Sequence, residues 1–276
     1  MAFTPQIPLA GLAGWRFLER TESAQKAAFE KGPALQRELD YFRENIGKAT
    51  TAEALVADRR LLKVALGAFG LGGEIDKKAF VRKVLEGGTE NPEALASRLT
   101  APGFKKLAGA FGFGNATGAQ TAAAGFADRI VEAYKTRAFE AAVGETNNDL
   151  RLAMNFRREI ADLSAGADGG SWYSVIGSSP LREVFEKAYG LPSSFGKLDV
   201  DRQREILRDK TSALFGTSNL SAFAEAENVE KVITRFLARA QIEAGPSLTA
   251  PGAAALTLLQ NARGSSGLVN LLSSLR

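Results

Sequence analysis

Apolar residues recur at helical spacing along nearly the whole chain. Leu62, Ala65, Leu66 and Phe69 stand at i, i+3, i+4 and i+7, one face of a helix. Phe126, Ile130 and Tyr134 recur every fourth residue, and Leu152, Phe156, Ile160 and Leu163 stripe the segment after them. The cleanest amphipathic face is Val229, Val232, Ile233, Phe236, Leu237 and Ala240. No sustained period-two pattern competes; Trp172–Ile176 alone reads as a short strand. Three echoes of one phrase close such stretches: Ala68-Phe69-Gly70-Leu71, Ala110-Phe111-Gly112-Phe113 and Ala188-Tyr189-Gly190-Leu191. In each, glycine takes the left-handed conformation without a Cβ penalty. The large apolar residue behind it folds onto the last turn, as in a Schellman stop. These patterns predict an all-α fold: a multi-helix array of helix–corner–helix units, two helical subdomains and no significant sheet.

The boundaries follow from capping and breaking residues. Residues 1–14 read as an irregular arm, and Trp15, Phe17 and Leu18 open the first apolar cluster, with Trp15 as a packing anchor. Helical pattern runs over Gln25–Glu30 and again over Pro33–Ile46, Pro33 suiting a first turn. Thr50-Thr51-Ala52-Glu53 reads as a capping box before Leu55 and Val56. Asp76 is expected to cap a helix carrying Phe80, Val81, Val84 and Leu85, which stops at Gly87-Gly88. Asn91-Pro92 is expected to start a helix through Leu99, and Thr121 to cap the long segment that Gly144 interrupts. Ser179 reads as an N-cap before Pro180, and Asp199 as the cap of a helix through Leu207 and Leu214 ended by Gly216. The run Ala165–Gly170 is the linker candidate. It divides an N-terminal helical part, 1–165, from a C-terminal one, 166–242. A tail, 243–276, turns to Ala, Gly, Ser, Thr and Pro with short apolar runs at 253–259 and 268–275.

Composition narrows the chemistry. With 45% apolar and 24% charged residues, the 276-residue chain has the balance of a soluble globular protein. A net charge of +4 without a Lys/Arg block gives no case for a nucleic-acid partner. The absence of cysteine and histidine excludes disulfides, thiolate chemistry, Cys/His zinc sites and histidine acid–base catalysis. The uncharged stretches 107–127 and 244–262 are too rich in small and polar residues to span a membrane. The first residues lack the basic and apolar regions of a Sec signal.

Candidate sites fail on spacing. The corners at Ala68–Asp76 and Ala188–Asp199 have an EF-hand skeleton, but a calcium loop needs oxygen ligands at positions 1, 3, 5 and 12 around a glycine at 6. With Gly196 at position 6 those places hold Leu191, Ser193, Phe195 and Arg202; with Gly73 there they hold Ala68, Gly70, Gly72 and Ala79. The run Gly112-Phe113-Gly114-Asn115-Ala116-Thr117-Gly118 is one residue too long for a dinucleotide fingerprint and follows a helical pattern, so it reads as a helix stop and flexible loop. Asp199, Asp201 and Glu205 lie among arginines as on a solvated face, and Gln203 and Arg204 flank the apolar stripe. No catalytic, cofactor-binding or metal-binding residue emerges, and the expectation is a non-enzymatic protein without cofactor.

Several segments carry a resemblance: Gly14–Thr21, Tyr41–Ile46, Asp58–Leu62 leading into Ala68–Leu71, Ser171–Tyr173, Pro180–Arg182, Gly190–Pro192, Leu198–Gln203 and Arg235–Leu237. Together they are similar to an alphaproteobacterial family known as domain of unknown function 1217, over most of residues 10–242. The resemblance implies a largely helical protein. Members tend to be encoded among flagellar genes, which implies a role in flagellar assembly or the basal body, with other flagellar proteins as partners. It supplies no catalytic residue. The location it implies is cytoplasmic or flagellum-associated. The alternative is a cytoplasmic helical adaptor or regulatory module unrelated to the flagellum. The composition of the arm and tail matches segments that fold on partner contact. Truncating residues 243–276 is therefore expected to weaken partner capture while leaving the thermal melting transition nearly unchanged, as read by pull-down and calorimetry.

Overall fold

The structure, a computed structural model, describes residues 3–165 and 171–245. Thirteen α-helices form it, and no strand occurs among the described residues. In order they are α1 (Gly11–Glu30), α2 (Pro33–Asn45), α3 (Ala52–Ala57), α4 (Arg59–Ala68), α5 (Lys78–Gly87), α6 (Leu95–Arg98) and α7 (Pro102–Phe111). There follow α8 (Phe126–Thr146), α9 (Asn148–Ser164), α10 (Trp172–Gly177), α11 (Ser179–Tyr189), α12 (Val200–Phe215) and α13 (Ala226–Ala244). The fold is all-α, and none of the described helices is long and apolar enough to cross a membrane. Most of the proposed linker and nearly all of the tail, with both its apolar runs, lie outside the described residues; Glu243 and Ala244 belong to α13.

All three repeated corners stop helices, by two mechanisms. At the first, Leu71 N–H donates to Leu66 C=O at 2.9 Å and Gly70 N–H to Gly67 C=O at 3.1 Å, both bonds of a Schellman motif. The third repeats them, Leu191 to Glu186 at 2.8 Å and Gly190 to Lys187 at 3.0 Å. The second closes with the single bond of the αL motif, from Gly112 to Ala108 at 2.9 Å. Gly70, Gly112 and Gly190 have φ of 75°, 69° and 65°.

Several boundaries differ from expectation because side chains find better partners. Thr51, not Thr50, caps α3, accepting from Ala54 N–H at 3.1 Å, while Thr50 N–H belongs to the preceding turn. Asp76 reaches Arg59 at 2.7 Å instead of capping α5, which starts at Lys78. Asn91 holds a turn through Glu93 N–H, so α6 is only four residues long. Thr121 is buried and donates to Ala49 C=O at 3.0 Å, and α8 begins later, after Gly125. Gly144 does not interrupt α8. The Arg151 side chain packs on it where a Cβ would lie 2.5 Å from Cδ, and the helix runs on until Asn147 turns extended and caps α9. Trp172–Ile176 is helical, not a strand: Ser171 caps it, and Trp172, Val175 and Ile176 bury one face. Ser178 precedes α11 as its N-cap, with Pro180 in the first turn.

Buried apolar residues gather in two clusters. One takes Leu39, Phe42, Leu62, Leu66, Val84, Phe111, Phe126 and Tyr134 with their neighbours from α2 to the first half of α8. The other takes Phe139 and Val143 from the second half of α8, α9 to α13, and Trp15 and Leu18 from α1. A division at residue 165 cuts through this second cluster, because α1 and α9 pack on α13 and α9 on α11. Trp15 is fully buried there, and its indole N–H donates to Glu230 at 3.0 Å. Phe156, Trp172, Phe185 and Phe223 meet edge to face and tilted around its centre. The N-terminal arm is tied to α1, since Gln6 N–H donates to the Gln25 amide oxygen at 2.7 Å and Gln25 donates back to Gln6 C=O.

Where α8 and α9 pack, Glu140 is buried and receives two bonds from the Arg158 guanidinium, at 2.7 and 2.9 Å. Glu140→Ala removes both bonds and leaves Arg158 only Glu159, 3.3 Å away and shared with Arg137. The substitution is expected to cost about 3 kcal/mol in denaturant unfolding. A second expectation concerns alkaline pH. Burial raises the Tyr134 and Tyr189 phenols above the ordinary tyrosine value, as does, for Tyr41, its hydrogen bond to Asp58. A raised phenol favours the neutral native form, so this stability is intact below about pH 10 and falls as pH rises above it. Melting temperature should drop from there, and Tyr189→Phe should flatten that drop.

Candidate functional site

Two surface features stand out once the cores are placed. The first is an apolar groove of about 410 Å³ between the α1–α2 corner and α8, lined by Phe3, Phe29, Pro33, Leu35, Tyr134 and Ala138, with Arg37 and Glu38 at its polar edge. Its floor depends on close packing of α4 against α8: a Cβ at Gly67 would lie 2.5 Å from the Tyr134 ring. Glycine in mid-helix costs up to about 1 kcal/mol relative to alanine, and here it makes room for the ring. The Tyr134 hydroxyl donates to Glu38 at 2.9 Å, and Lys63 pairs with the other Glu38 oxygen. The carboxylate at the groove edge is thus satisfied on both oxygens.

The second feature surrounds the start of α12. Asp199 caps the helix by accepting from Asp201 N–H at 2.9 Å. Gln203 is buried and donates to Leu198 C=O at 2.8 Å, fixing the turn before the helix. Its own carbonyl oxygen has no partner among the described residues. Tyr173 on α10 donates its hydroxyl to Asp201 at 2.5 Å and accepts from Arg204 at 2.6 Å. The Arg204 guanidinium lies 5.1 Å from the centre of the same ring. The bond to Asp201 raises the Tyr173 phenol, holding it neutral as a donor. Around this polar knot Tyr173, Leu198 and Val200 are 43%, 40% and 43% exposed, three of the six large apolar side chains so exposed among the described residues. Apolar side chains held in place at the surface are the material of protein interfaces.

The chemistry candidates from the sequence do not converge. Asp199 caps, Asp201 takes the tyrosine, and Glu205 pairs with Arg202 at 2.9 Å. Gln203 and Arg204 act inside the fold, on the turn and on Tyr173 respectively. The glycine-rich run after α7 is a helix stop, and its loop is tied down rather than loose. A Cβ at Gly114 would meet Glu86 C=O at 2.2 Å, Asn115 accepts from Thr89 N–H at 2.8 Å, and Glu90 accepts from Ala116 N–H at 3.0 Å. A protein carboxylate therefore already occupies a backbone donor that a phosphate would need. Among the described residues no group of three or more Asp or Glu is placed to hold a metal ion. The groove is not legible in the sequence because its α8 wall lies far along the chain from the α1–α2 corner that forms the rest. The only local signal was the Phe126-Ile130-Tyr134 spacing. For the α10–α12 patch, Ser171–Tyr173 and Leu198–Gln203 are both distinctive in the sequence, but nothing in their spacing shows that they meet.

The fold is similar to the X-ray crystal structure of protein AGR_C_984 from Agrobacterium tumefaciens, with a TM-score of 0.72 and 25% sequence identity. That similarity covers 88% of this chain and 100% of the other. No curated protein matches the chain. Residues 68–229, more than half of the sequence, match the family described as protein of unknown function DUF1217. That segment runs from the first repeated corner through both α8 halves and the α10–α12 patch to the start of α13, and by it the chain belongs to the DUF1217 family.

Proposed function

We propose that this protein is a non-enzymatic accessory of flagellar assembly or the basal body that works through protein–protein contacts. The observation that carries the binding role is the exposed trio Tyr173, Leu198 and Val200, set around a hydrogen-bonded Tyr173–Asp201–Arg204 knot. The Tyr173 ring, held by two hydrogen bonds before binding, loses little entropy on contact, which suits an anchor residue. The flagellar setting comes from the family resemblance, whose members tend to be encoded among flagellar genes. Asp199 caps a helix, Asp201 holds a tyrosine and Glu205 pairs with Arg202, so these three carboxylates are engaged structurally rather than set apart for acid–base work.

Deleting the gene in its source bacterium should reduce swimming and the number of filaments counted by electron microscopy, and the intact gene should restore both. Leu198→Asp should fold with a stability change within about 0.5 kcal/mol for an exposed site, and Tyr173→Ala, which also removes the bonds to Asp201 and Arg204, should cost about 1 kcal/mol and still fold. Neither should complement, because losing an anchor worth about 2 kcal/mol weakens a partner roughly 30-fold. Filaments present but idle would move the protein from assembly to motor function. Normal swimming in the deletion strain would overturn the flagellar setting and leave the cytoplasmic adaptor.

A further inference from the structure

We propose that the groove between the α1–α2 corner and α8 receives an acidic amphipathic segment of a partner protein, with its apolar side chains in the groove and its carboxylates against Lys31 and Arg37. Phe29, Pro33, Leu35, Ala138 and the Tyr134 ring offer apolar walls, and about 410 Å³ lies within the size range of natural binding pockets. The Glu38 carboxylate at the groove edge is already paired, accepting from Tyr134 on one oxygen and Lys63 on the other, so covering it strands no charge.

Charge decides the occupant. Glu30, at the end of α1, shares Lys135 at 2.7 Å with Glu132 at 2.8 Å and has Lys26 at 4.0 Å, two cations for two carboxylates, and Glu38 is neutralised by Lys63. Lys31, beside the groove's Gly32 and Pro33, and Arg37, on its lining, are both exposed and have no ion-pair partner among the described residues. The rim is therefore left positive. Residues 246–276 of this chain carry Arg263 and Arg276 and no carboxylate side chain, so their charge opposes the groove. Bounded by helices, the site suits the helix-in-groove mode, with anchors at i, i+3 or i+4, and i+7.

The inference rests on the reading that the protein works by binding partners, and not on its flagellar setting. The probe is a fluorescein-labelled helical peptide with leucines at i, i+4 and i+7 flanked by glutamates, titrated against the full-length protein by anisotropy. Its Glu→Gln form should bind roughly fivefold more weakly or worse, and the difference should shrink with salt. Lys31→Glu with Arg37→Glu should reverse the preference, favouring a Glu→Lys peptide, because both side chains are exposed and the fold does not use them. Leu35→Asp should weaken all forms, and Leu198→Asp on the separate patch should leave binding unchanged. Equal affinity for the acidic and neutral peptides, no reversal in the double variant, loss of binding in Leu198→Asp, or no binding by any peptide would each overturn the inference. Peptide binding alongside normal motility in the deletion strain would reject the flagellar setting and keep the groove.

Discussion

The fold turns on one helix that must satisfy two cores. In α8 the buried positions Phe126, Ile130, Val131 and Tyr134 serve one cluster, and Phe139 and Val143 serve the other. At 3.6 residues per turn the first set covers an arc of about 140° of the helix, and Phe139 and Val143 fall on the arc of about 40° that lies beyond it. The apolar positions thus leave one sector of a continuous rod for another between Tyr134 and Phe139, and that shift places the two cores. The segment where the stripe swings carries Arg137, and Glu140 follows directly after it. Arg158 on α9 clamps Glu140, while burial and the nearby Arg158 charge lower the Arg137 pKa. A charged clamp at that point fixes the rotation of α8 against α9 in a way that interchangeable apolar contacts do not, at the cost of desolvating the ions.

Local rules were legible where the chain alone determines the answer. A glycine after an apolar helical face has few alternatives to a left-handed stop, and the three corners follow it. The stripes of α4, α9, α11 and α13 are buried as their spacing requires. Reading failed where a polar side chain had a distant competitor. Asp76 and Thr121 look like caps from their neighbours alone. In the fold Arg59 takes one and the Ala49 carbonyl takes the other, and neither partner is visible within a helical turn of sequence. Gly144 looked like a break for the same reason: the Arg151 side chain that occupies its missing Cβ belongs to the next helix. The core division escaped too, because Trp15 and Leu18 join residues more than a hundred positions away.

The surface features show the same contrast. Both join segments that sequence reading handles separately, α10 with α12 for the patch and α1, α2 and α8 for the groove. They differ in what the fold invests in them. Around Tyr173, the hydrogen bonds with Asp201 and Arg204, and the stacked guanidinium, fix a ring that is nearly half exposed. Such a network lies on the solvated side of the molecule, where each bond adds little to stability. Its effect is to restrict the ring to one orientation. The groove is instead built from below. Gly67 admits the Tyr134 ring, Tyr134 donates to one oxygen of Glu38, and Lys63 neutralises the carboxylate from the other. The groove's carboxylate is thus spent inside the fold, while the cations at its rim are not. That division leaves an apolar slot with a positive edge, whose preference follows from charge and shape before any partner is known.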